Sequence, residues 1–303
     1  MKPLFWFLIF PGFIFSSFVG LLLTWVDRKV TARIQWRVGP PIYQPFADFL
    51  KLLSNETMIP NGASKLLFLL APILSVAAMT AVGAMIFTMN FFPSQSFLGD
   101  LIVLIYLLAF PPLATIIGAS ASKNPLSAVG ASREMTLYFG YELPFITAII
   151  IAIIKAGGAI RIGEIVSYQQ ISGPILYSFS GIIATIVVLL SMQAKLGYVP
   201  FDMAEAEQEL MAGVYTEYSG FALALFKLSK AMMLFLLPCL IITLFWGGLS
   251  SFWAILKFLI FVILVILIKN TNPRLRIDQA LKFFWVGVMP LAIIGIILAF
   301  FRL

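Results

Sequence analysis

Eight long apolar runs alternate with shorter polar connections along the 303-residue chain. Each run is close to the length of about 20 apolar residues that a helix needs to cross a bilayer. In chain order the runs are Leu4–Val26, Leu66–Met89, Leu98–Ala119, Met135–Ile154, Ile175–Ala194, Phe221–Phe245, Phe252–Ile268 and Phe283–Phe301. A backbone in lipid must satisfy its hydrogen bonds within the segment, so the pattern predicts an all-α membrane protein with eight transmembrane helices. We expect residues 1–303 to form a single integral membrane domain.

Composition agrees with this class and limits the chemistry of the chain. Hydrophobic residues make up 61% of the sequence and charged residues 11%, whereas soluble domains carry roughly 25% charged residues. The sequence has one Cys and no His. One thiol cannot supply the four ligands of an iron–sulfur cluster, and the usual haem ligand is absent. We therefore expect no catalytic centre, cofactor or metal site in this chain and place any electron carriers in partner subunits.

The positions of Lys and Arg predict the orientation of the helices. Thirteen of the 20 basic residues lie in four connections, at residues 27–65, 120–134, 195–220 and 269–282. Four lie on the opposite side, and three lie within runs. Cytoplasmic loops are enriched in Lys and Arg, so these four loops are expected in the cytoplasm and both termini outside a cell membrane.

The third of these loops contains an acidic segment, residues 198–220, which we call the acidic loop. It contains no Lys or Arg, and its carboxylates are Asp202, Glu205, Glu207, Glu209 and Glu217. Asp202 followed by Glu205 matches an N-cap with its capping box, which predicts an amphipathic surface helix from about Met203. Such a helix would place Asp202, Glu205 and Glu209 on one face, where crowded carboxylates bind protons more readily. The pattern fits either a solvated surface helix or a proton-handling site.

Four of the charged residues within or beside the apolar runs extend the ionisable set inward. Glu142 lies inside the fourth run, and Glu134 lies at its cytoplasmic end. An ionised, unpaired carboxylate in a membrane is costly, so we expect Glu142 to face the bundle interior, either in an interhelical bond or on an ion route. Lys227 and Lys230 lie in the sixth run. The ammonium of Lys227 can extend to the surface, and Lys230 is expected to have an acidic neighbour.

Basic residues mark the first and last cytoplasmic loops as interaction surfaces. Lys29, Arg33 and Arg37 recur at four-residue spacing in the first loop, and Arg274, Arg276 and Asp278 follow Pro273 in the last. Like charges at that spacing repel one another unless an anionic group faces them. Anionic lipid headgroups or an acidic partner would each satisfy these surfaces.

A second amphipathic surface helix is predicted in the first loop. Pro45 is suited to the first turn of a helix, and the residues that follow place Phe46 and Phe49 on an apolar stripe with Asp48 opposite. The helix is expected to lie along the membrane surface.

Four stretches of the sequence resemble the signature segments of one membrane protein family. They read DRKVTARIQWRVGP, QPFADFLKL, PFDMAEAEQELMAGVYTEYSG and NPRLRIDQALKFFW. They are similar to the H-subunit family of NADH–quinone oxidoreductase (respiratory complex I), which is shared with group 4 membrane-bound nickel–iron hydrogenases and related ferredoxin-dependent complexes. The resemblance covers all eight runs in order. It implies a non-catalytic component that joins a peripheral redox arm to antiporter-like and small membrane subunits, with iron–sulfur clusters and any nickel–iron site in the partners.

The resemblance also implies roles for individual residues. Asp202, Glu205, Glu207 and Glu217 match its acidic signature, and Glu142 matches a glutamate of the fourth span on a proton path. Arg28, Arg33, Arg37, Arg274, Arg276 and Asp278 match the loop signatures that face the peripheral arm. By position we add Glu134, Glu209, Lys227 and Lys230 to the ion path, and Lys29 and Asp48 to the arm interface.

Three departures from quinone-type members resemble the hydrogenase-type branch. The first loop is several residues shorter after Gly39, residues 195–198 lack the usual acidic stretch, and Lys230 replaces a frequent glutamate. The resemblance then implies oxidation of ferredoxin, reduction of protons or a sulfur compound, and movement of H⁺ or Na⁺. The alternatives are a quinone-site subunit, a stand-alone secondary transporter and a purely structural anchor.

Overall fold

The computed structural model describes residues 2–205, 209 and 211–301. Over these residues the chain contains helices and connecting turns and no β-strand, which confirms the all-α prediction. The helices are α1 Lys2–Leu8, α2 Phe13–Ile34, α3 Gln44–Ser54, α4 Lys65–Phe91, α5 Asp100–Ala121, α6 Pro125–Lys155, α7 Ile162–Ser172, α8 Phe179–Lys195, α9 Gly220–Phe245, α10 Ala254–Thr271 and α11 Ile277–Phe300. A π-helical turn occupies Phe283–Val288 within α11, and 3₁₀ turns occur at Pro93–Gln95, Ile175–Tyr177 and Gly213–Tyr215.

Seven helical segments in the described part of the chain are long and apolar enough to cross a membrane. They are Phe5–Ile34, Lys65–Phe91, Asp100–Ala121, Pro125–Lys155, Gly220–Phe245, Ala254–Thr271 and Ile277–Phe300. The remaining predicted span corresponds to α8, which has 17 residues because its first turn is a separate 3₁₀ segment. The first span differs from its predicted bounds, since the chain turns at residues 9–12 and α2 continues past Val26 to Ile34. An eighth span and the side of each terminus stay predictions.

The centre of the bundle is α9. In its most apolar stretch 94% of the residues are buried, compared with 28% in α10 and 28% in α11. A helix that is apolar on every face is expected to lie inside other helices, and α9 packs against α2, α3 and α4. Of the two lysines of α9, Lys230 is therefore held among neighbouring elements, whereas Lys227 is exposed.

The four connections predicted to be cytoplasmic meet at one end of the bundle. The backbone N–H of Met58 donates to Ser219 Oγ over 2.9 Å, which joins the first loop to the acidic loop. The Asn124 side-chain amide donates to Glu217, which adds the second loop. Leu275 N–H donates to the Pro200 carbonyl over 3.1 Å, which adds the last. The loops therefore share a side, as the charge distribution predicts.

The two predicted surface helices have different outcomes. In the first loop, α3 begins beside Tyr43 with Pro45 in its first turn, and it lies against α2 and α9. In the acidic loop the predicted start at Met203 is wrong, because Met203 and Ala204 form a turn and Glu205 a bend. Residues 206–208 and 210 of the predicted helix lie outside the described residues. Asp202 does not cap this segment, since its carboxylate is paired elsewhere.

Close packing of α2 on α9 depends on Gly20. A Cβ at this position would lie 2.5 Å from the Ala231 carbonyl oxygen. That oxygen belongs to the backbone of the central helix, so it cannot move aside as a flexible side chain would. The two helices approach closely because residue 20 has no side chain.

We expect Gly20→Ala to destabilise the protein, because the added methyl group must push α2 away from α9. Overpacking of this kind costs about 1–3 kcal/mol. The matched control is Gly287→Ala, where no atom lies within 4 Å of the added Cβ. Thermal unfolding in detergent should show a lower midpoint for Gly20→Ala and an unchanged or slightly higher midpoint for Gly287→Ala. Equal midpoints would contradict the assigned contact.

Candidate functional site

Three carboxylates of the acidic loop form ion pairs with bases from three other elements. Asp202 Oδ2 lies 2.6 Å from Arg274 Nη2, ahead of α11, and Glu205 Oε1 lies 2.6 Å from Lys230 Nζ on α9. Glu209 Oε2 lies 2.6 Å from Arg133 Nη1 on α6. Each of the three carboxylates therefore has its own basic partner, and the three pairs anchor the loop at three points. The helical face predicted for Asp202, Glu205 and Glu209 includes residues that lie outside the described part of the chain.

The remaining carboxylates of the acidic loop complete this arrangement. Glu217 accepts a hydrogen bond from the side-chain amide of Asn124, whose own carbonyl oxygen caps the first turn of α6. Glu207 lies outside the described residues. Glu209 is exposed, and the hydrogen bond from Arg133 lowers its pKa, so it is ionised at neutral pH. The loop presents paired acids to its neighbours, not a cluster of repelling ones.

Glu142 lies in the bundle interior in an ion pair with Lys195. Its Oε2 is 2.8 Å from the Lys195 ammonium at the end of α8, and the Lys195 side chain is 0% exposed. Neither atom has a further hydrogen-bond partner among the described residues. The ammonium also lies 4.5 Å from the Phe145 ring centroid. Lys195, assigned to a loop by its position in the sequence, is therefore a buried residue of this site.

A small polar cavity links the buried pair to the acidic loop. Its volume is 40 Å³, and about 10–15 Å³ of such volume holds one water molecule. Its charged lining comes from four elements and consists of Glu134, Lys195, Asp202, Glu205 and Lys230. Thr115, Tyr215 and Ser229 contribute further polar walls. The cavity therefore joins the Glu205–Lys230 pair to the partner of Glu142 without crossing a purely apolar layer.

A larger cavity of 600 Å³ lies on the other side of the Glu205–Lys230 pair, between α2, α3 and α9. One wall is apolar, with Leu21, Phe49 and Leu228. The lining of this cavity also contains an ion pair between the half-buried Lys269 and the buried Asp27, in which Lys269 Nζ lies 2.6 Å from Asp27 Oδ2. Because Glu205 and Lys230 line both cavities, a change in their pairing alters the charged lining of both cavities.

Tyr198 stands between the two ion pairs of the larger cavity. Its ring centroid is 4.6 Å from the Lys269 ammonium and 5.5 Å from the Lys230 ammonium. A ring face attracts cations, so Tyr198 holds both ammonium groups close to each other. Sequence reasoning missed Asp27, Tyr198, Lys195 and Lys269 as site residues. Asp27, Lys195 and Lys269 each directly follow an apolar run, a signal that could have found them.

Two predicted ion-path residues lie at the cavities without an ion-pair partner among the described residues. Glu134 is half-buried in α6 and lines the small cavity. Lys227 is exposed and lines the larger one. Both side chains therefore line a cavity in which they could pair with an ion or a rearranged side chain.

The predicted arm-facing residues divide into an internal pair and an exposed surface. Arg28 Nη1 lies 2.7 Å from Asp48 Oδ2, a pair that ties α3 to α2 and lowers the pKa of Asp48. The four-residue spacing of Lys29, Arg33 and Arg37 does not place all three on one helix, because α2 ends at Ile34 and Arg37 lies beyond it. Lys29 is half-buried, and Arg33, Arg37, Arg276 and Asp278 are exposed.

The exposed basic residues of the first loop surround an exposed aromatic side chain. Trp36 lies between Arg33 and Arg37, is 97% exposed and has a φ of 59°. Val38 beside it is 77% exposed. A bulky residue that has a left-handed backbone conformation and is almost fully exposed is not stabilised by packing within this chain. We call residues 33–38 the basic tip.

The described part of the chain brings together no three His, Cys, Asp or Glu residues as metal ligands. The carboxylates of the site lie against ammonium and guanidinium groups instead. What the arrangement can do is exchange ion-pair partners and protons between neighbouring carboxylates.

Comparison with known proteins agrees with the resemblance drawn from the four sequence stretches. Residues 7–300 match the model of the family described as NADH dehydrogenase. The chain is 37% identical over 293 residues to the H subunit of NADH-quinone oxidoreductase from Bacillus cytotoxicus, an alignment that covers 90% of this chain and 86% of the relative. It is 34% identical to the same protein of Brevibacillus brevis, with 97% and 92% covered.

A solved structure is similar over the whole fold. A chain of the membrane-bound sulfane sulfur reductase, described as an archaeal respiratory membrane complex, superposes with a TM-score of 0.89 at 31% identity, covering 99% of this chain and 100% of that chain. The match extends over the helices that carry every charged pair described above. With the apolar helices, these likenesses make the protein a multi-pass membrane component of a multi-subunit respiratory complex. The chain belongs to the NADH dehydrogenase family, which includes the H subunit of NADH-quinone oxidoreductase.

Proposed function

We propose that this chain is the coupling subunit of a ferredoxin-oxidising respiratory complex in a cell membrane. It links a peripheral redox arm, which contains the iron–sulfur clusters and the site of reduction, to antiporter-like and small membrane subunits that translocate H⁺ or Na⁺. The observation that carries the proposal is the Glu205–Lys230 pair, which borders both cavities and leads through the smaller one to the partner of Glu142. The chain itself carries no electrons.

The ion pairs of the acidic loop provide the means of coupling. Electron transfer in the docked arm changes the charge near Asp202 and Glu209, whose partners Arg274 and Arg133 lie 47% and 30% exposed. A pair that is partly hydrated exchanges partners at little cost, whereas the buried pairs behind it do so at greater cost. Ion pairs in the loop therefore rearrange at a low free-energy cost, and this cost rises along the path toward Glu142.

Two features of the chain and its relatives support a choice of terminal acceptor. The solved relative is named a sulfane sulfur reductase, and the chain departs from quinone-type members in the first loop and at Lys230. These features favour a sulfur compound or protons as acceptor in the peripheral arm.

A quinone-site subunit is the second candidate, favoured by two observations. The relatives at 37% and 34% identity are named as the H subunit of NADH-quinone oxidoreductase, and the 600 Å³ cavity has the apolar wall that a quinone would need. Purification of the native complex through a tag on this chain separates the candidates. Ferredoxin oxidation with proton or sulfur reduction supports the proposal, and NADH oxidation that quinone-site inhibitors block supports the alternative.

We expect Glu142→Gln to abolish ion pumping in vesicles that contain the whole complex, while assembly and the redox reaction persist. The Gln side chain still offers an oxygen to Lys195 but loses both the negative charge of the pair and the ability to exchange a proton. The matched control is Glu164→Gln in the exposed Arg161–Glu164 pair, which should pump normally. The measurement is the ion gradient formed per electron transferred. A normal gradient with Glu142→Gln would refute the coupling role.

The basic tip should dock the peripheral arm through its charges. We expect the double variant Arg33→Glu and Arg37→Glu to lose co-purifying soluble subunits, because reversal of two exposed charges replaces attraction by repulsion at the interface. The matched control is Lys65→Glu, an exposed base at the other end of the same loop. Subunit stoichiometry after affinity purification at low and high salt is the readout. Full retention of the soluble subunits by the double variant would show that the arm docks elsewhere.

A further inference from the structure

The end of α2 is a Schellman motif with a tryptophan at the position where glycine is usual. The Trp36 N–H donates to the Arg33 carbonyl over 3.1 Å, and the Arg37 N–H donates to the Ala32 carbonyl over 2.7 Å. In this motif the residue after the C-cap has a left-handed backbone, which glycine adopts without strain. Trp36 adopts it with a φ of 59°. A bulky side chain is therefore present where it strains the backbone.

No packing within the described part of the chain offsets this strain. The Trp36 side chain is almost fully exposed, so its ring is covered by no other element. Met211, in the acidic loop, has the same combination of an apolar, exposed side chain and a positive φ. Strained residues persist where function requires them, and these two lie at the end of the bundle where the four loops meet.

The backbone on both sides of Trp36 is held in place. On one side α2 leads directly into the Schellman motif. On the other side the Trp25 indole N–H donates to the Pro40 carbonyl over 3.1 Å, which fastens the returning chain to α2. An exposed side chain on such a support loses little conformational freedom when it binds a partner.

The basic tip lies beyond the lipid headgroups. The first apolar run ends at Val26, and α2 continues to Ile34, which adds about 12 Å along the helix axis. The headgroup layer on one side of a bilayer is about 5–8 Å thick. Even a helix tilted by about 40° therefore carries the tip past this layer. The position favours a water-soluble protein over a lipid as the partner of Trp36.

The surroundings of Trp36 define the chemistry of that partner. The flanking Arg33 and Arg37 are exposed and have no ion-pair partner among the described residues. Ile34 and Val38 add exposed apolar surface beside the ring. Tryptophan and arginine are enriched among the residues that contribute most to binding at protein interfaces. A complementary surface has an apolar pocket for the ring and carboxylates around that pocket.

We propose that Trp36 is the anchor by which this chain holds a soluble subunit of the peripheral arm, with its ring inserted into an apolar pocket surrounded by carboxylates on that subunit. The inference rests on the proposed function, which supplies the peripheral arm. Arg33 and Arg37 attract and orient the partner, and such exposed charges act mainly on the association rate. The buried ring sets how long the complex lasts, because loss of interface contacts acts mainly on the dissociation rate.

Trp36→Gly separates a docking role from a structural one, because the two roles predict opposite results. Glycine relieves the strained backbone, so we expect the thermal unfolding midpoint of the full chain in detergent to be unchanged or higher. In the native complex the same variant should release the soluble subunits about 30-fold faster, as expected for an interface anchor. Dissociation is followed by dilution of the immobilised complex at fixed salt. The matched control is Trp253→Gly, which removes an exposed tryptophan at the other end of the bundle and should leave the rate unchanged.

A second variant excludes the added flexibility of glycine as the cause. Asparagine also tolerates the left-handed backbone, and Trp36→Asn should release the soluble subunits as fast as Trp36→Gly. Retention of the soluble subunits by Trp36→Asn, or by both variants, would overturn the inference. A lower unfolding midpoint for Trp36→Gly would also overturn it, because the ring would then stabilise this chain itself.

Fluorescence quenching tests directly what covers the ring. The emission of Trp36 is taken as the difference between the wild-type complex and Trp36→Phe. We expect acrylamide to quench it in vesicles stripped of soluble subunits and to quench it far less in the whole complex. Quenching by brominated lipids in the stripped vesicles would show that the ring enters the membrane instead. Either that result or full acrylamide quenching in the whole complex would contradict the proposal.

The two proposals fail in different ways. Normal pumping by Glu142→Gln refutes the coupling function, even if Trp36 is covered by a soluble subunit. Loss of pumping in Glu142→Gln, together with full retention of the soluble subunits by Trp36→Gly, refutes the anchor role alone.

Discussion

The buried charges of Asp27, Glu142 and Lys195 are constrained by the low dielectric around them, and the structure meets that constraint with ion pairs drawn from different elements. The buried carboxylate of Asp100 instead accepts hydrogen bonds from the Ser96 hydroxyl and the Ile162 N–H. Glu142 and Lys195 come from α6 and α8, Asp27 and Lys269 from α2 and α10, and Glu205 meets Lys230 of α9. Removing one partner of such a pair costs about 3–5 kcal/mol, because it leaves an uncompensated charge in the interior. A buried pair adds little net stability compared with apolar residues of the same size. The pairs therefore fix where charges reside more than they hold the helices together.

Apolar packing supplies the frame in which these pairs are placed. The central helix α9 is buried on all sides in its apolar part, and its contact with α2 at Gly20 leaves no room for a side chain. Close-packed interiors transmit small displacements because they have few voids to absorb them. The two cavities lie at the polar end of α9, where Lys230 faces both. The apolar part of the bundle is closely packed, and the cavities lie at its charged end. We therefore expect rearrangement at the charged end.

Most helices could be predicted from the sequence, whereas most ion pairs could not. The reason is that helices depend on neighbouring residues, while the ion pairs join residues far apart in the sequence. The apolar runs predicted the helical segments because hydropathy is a local property of about 20 residues. The amphipathic helix α3 was also found from local spacing. Asp27 and Lys269 are 242 positions apart, and Arg133 and Glu209 are 76 apart, so no local pattern connects them. The capping signal at Asp202 was overridden because Arg274, from a distant loop, takes the same carboxylate.

The pairing of Asp202 with Arg274 in place of a local helix cap also explains how the acidic loop can respond to its surroundings. A carboxylate that caps its own helix depends on one local hydrogen bond, whereas Asp202, Glu205 and Glu209 depend on three separate elements. Movement of α9 or of the segment that carries Arg274 changes the pairing of Glu205 or Asp202, which line the small cavity. The exposed pairs can rearrange in water, while Lys195 and Glu142 can rearrange only if another charge takes the vacated place. The exposed fraction of the pairs therefore falls from Arg133–Glu209 and Arg274–Asp202 at the loop to Glu142–Lys195 in the bundle interior, so the free-energy cost of separating a pair rises in that direction.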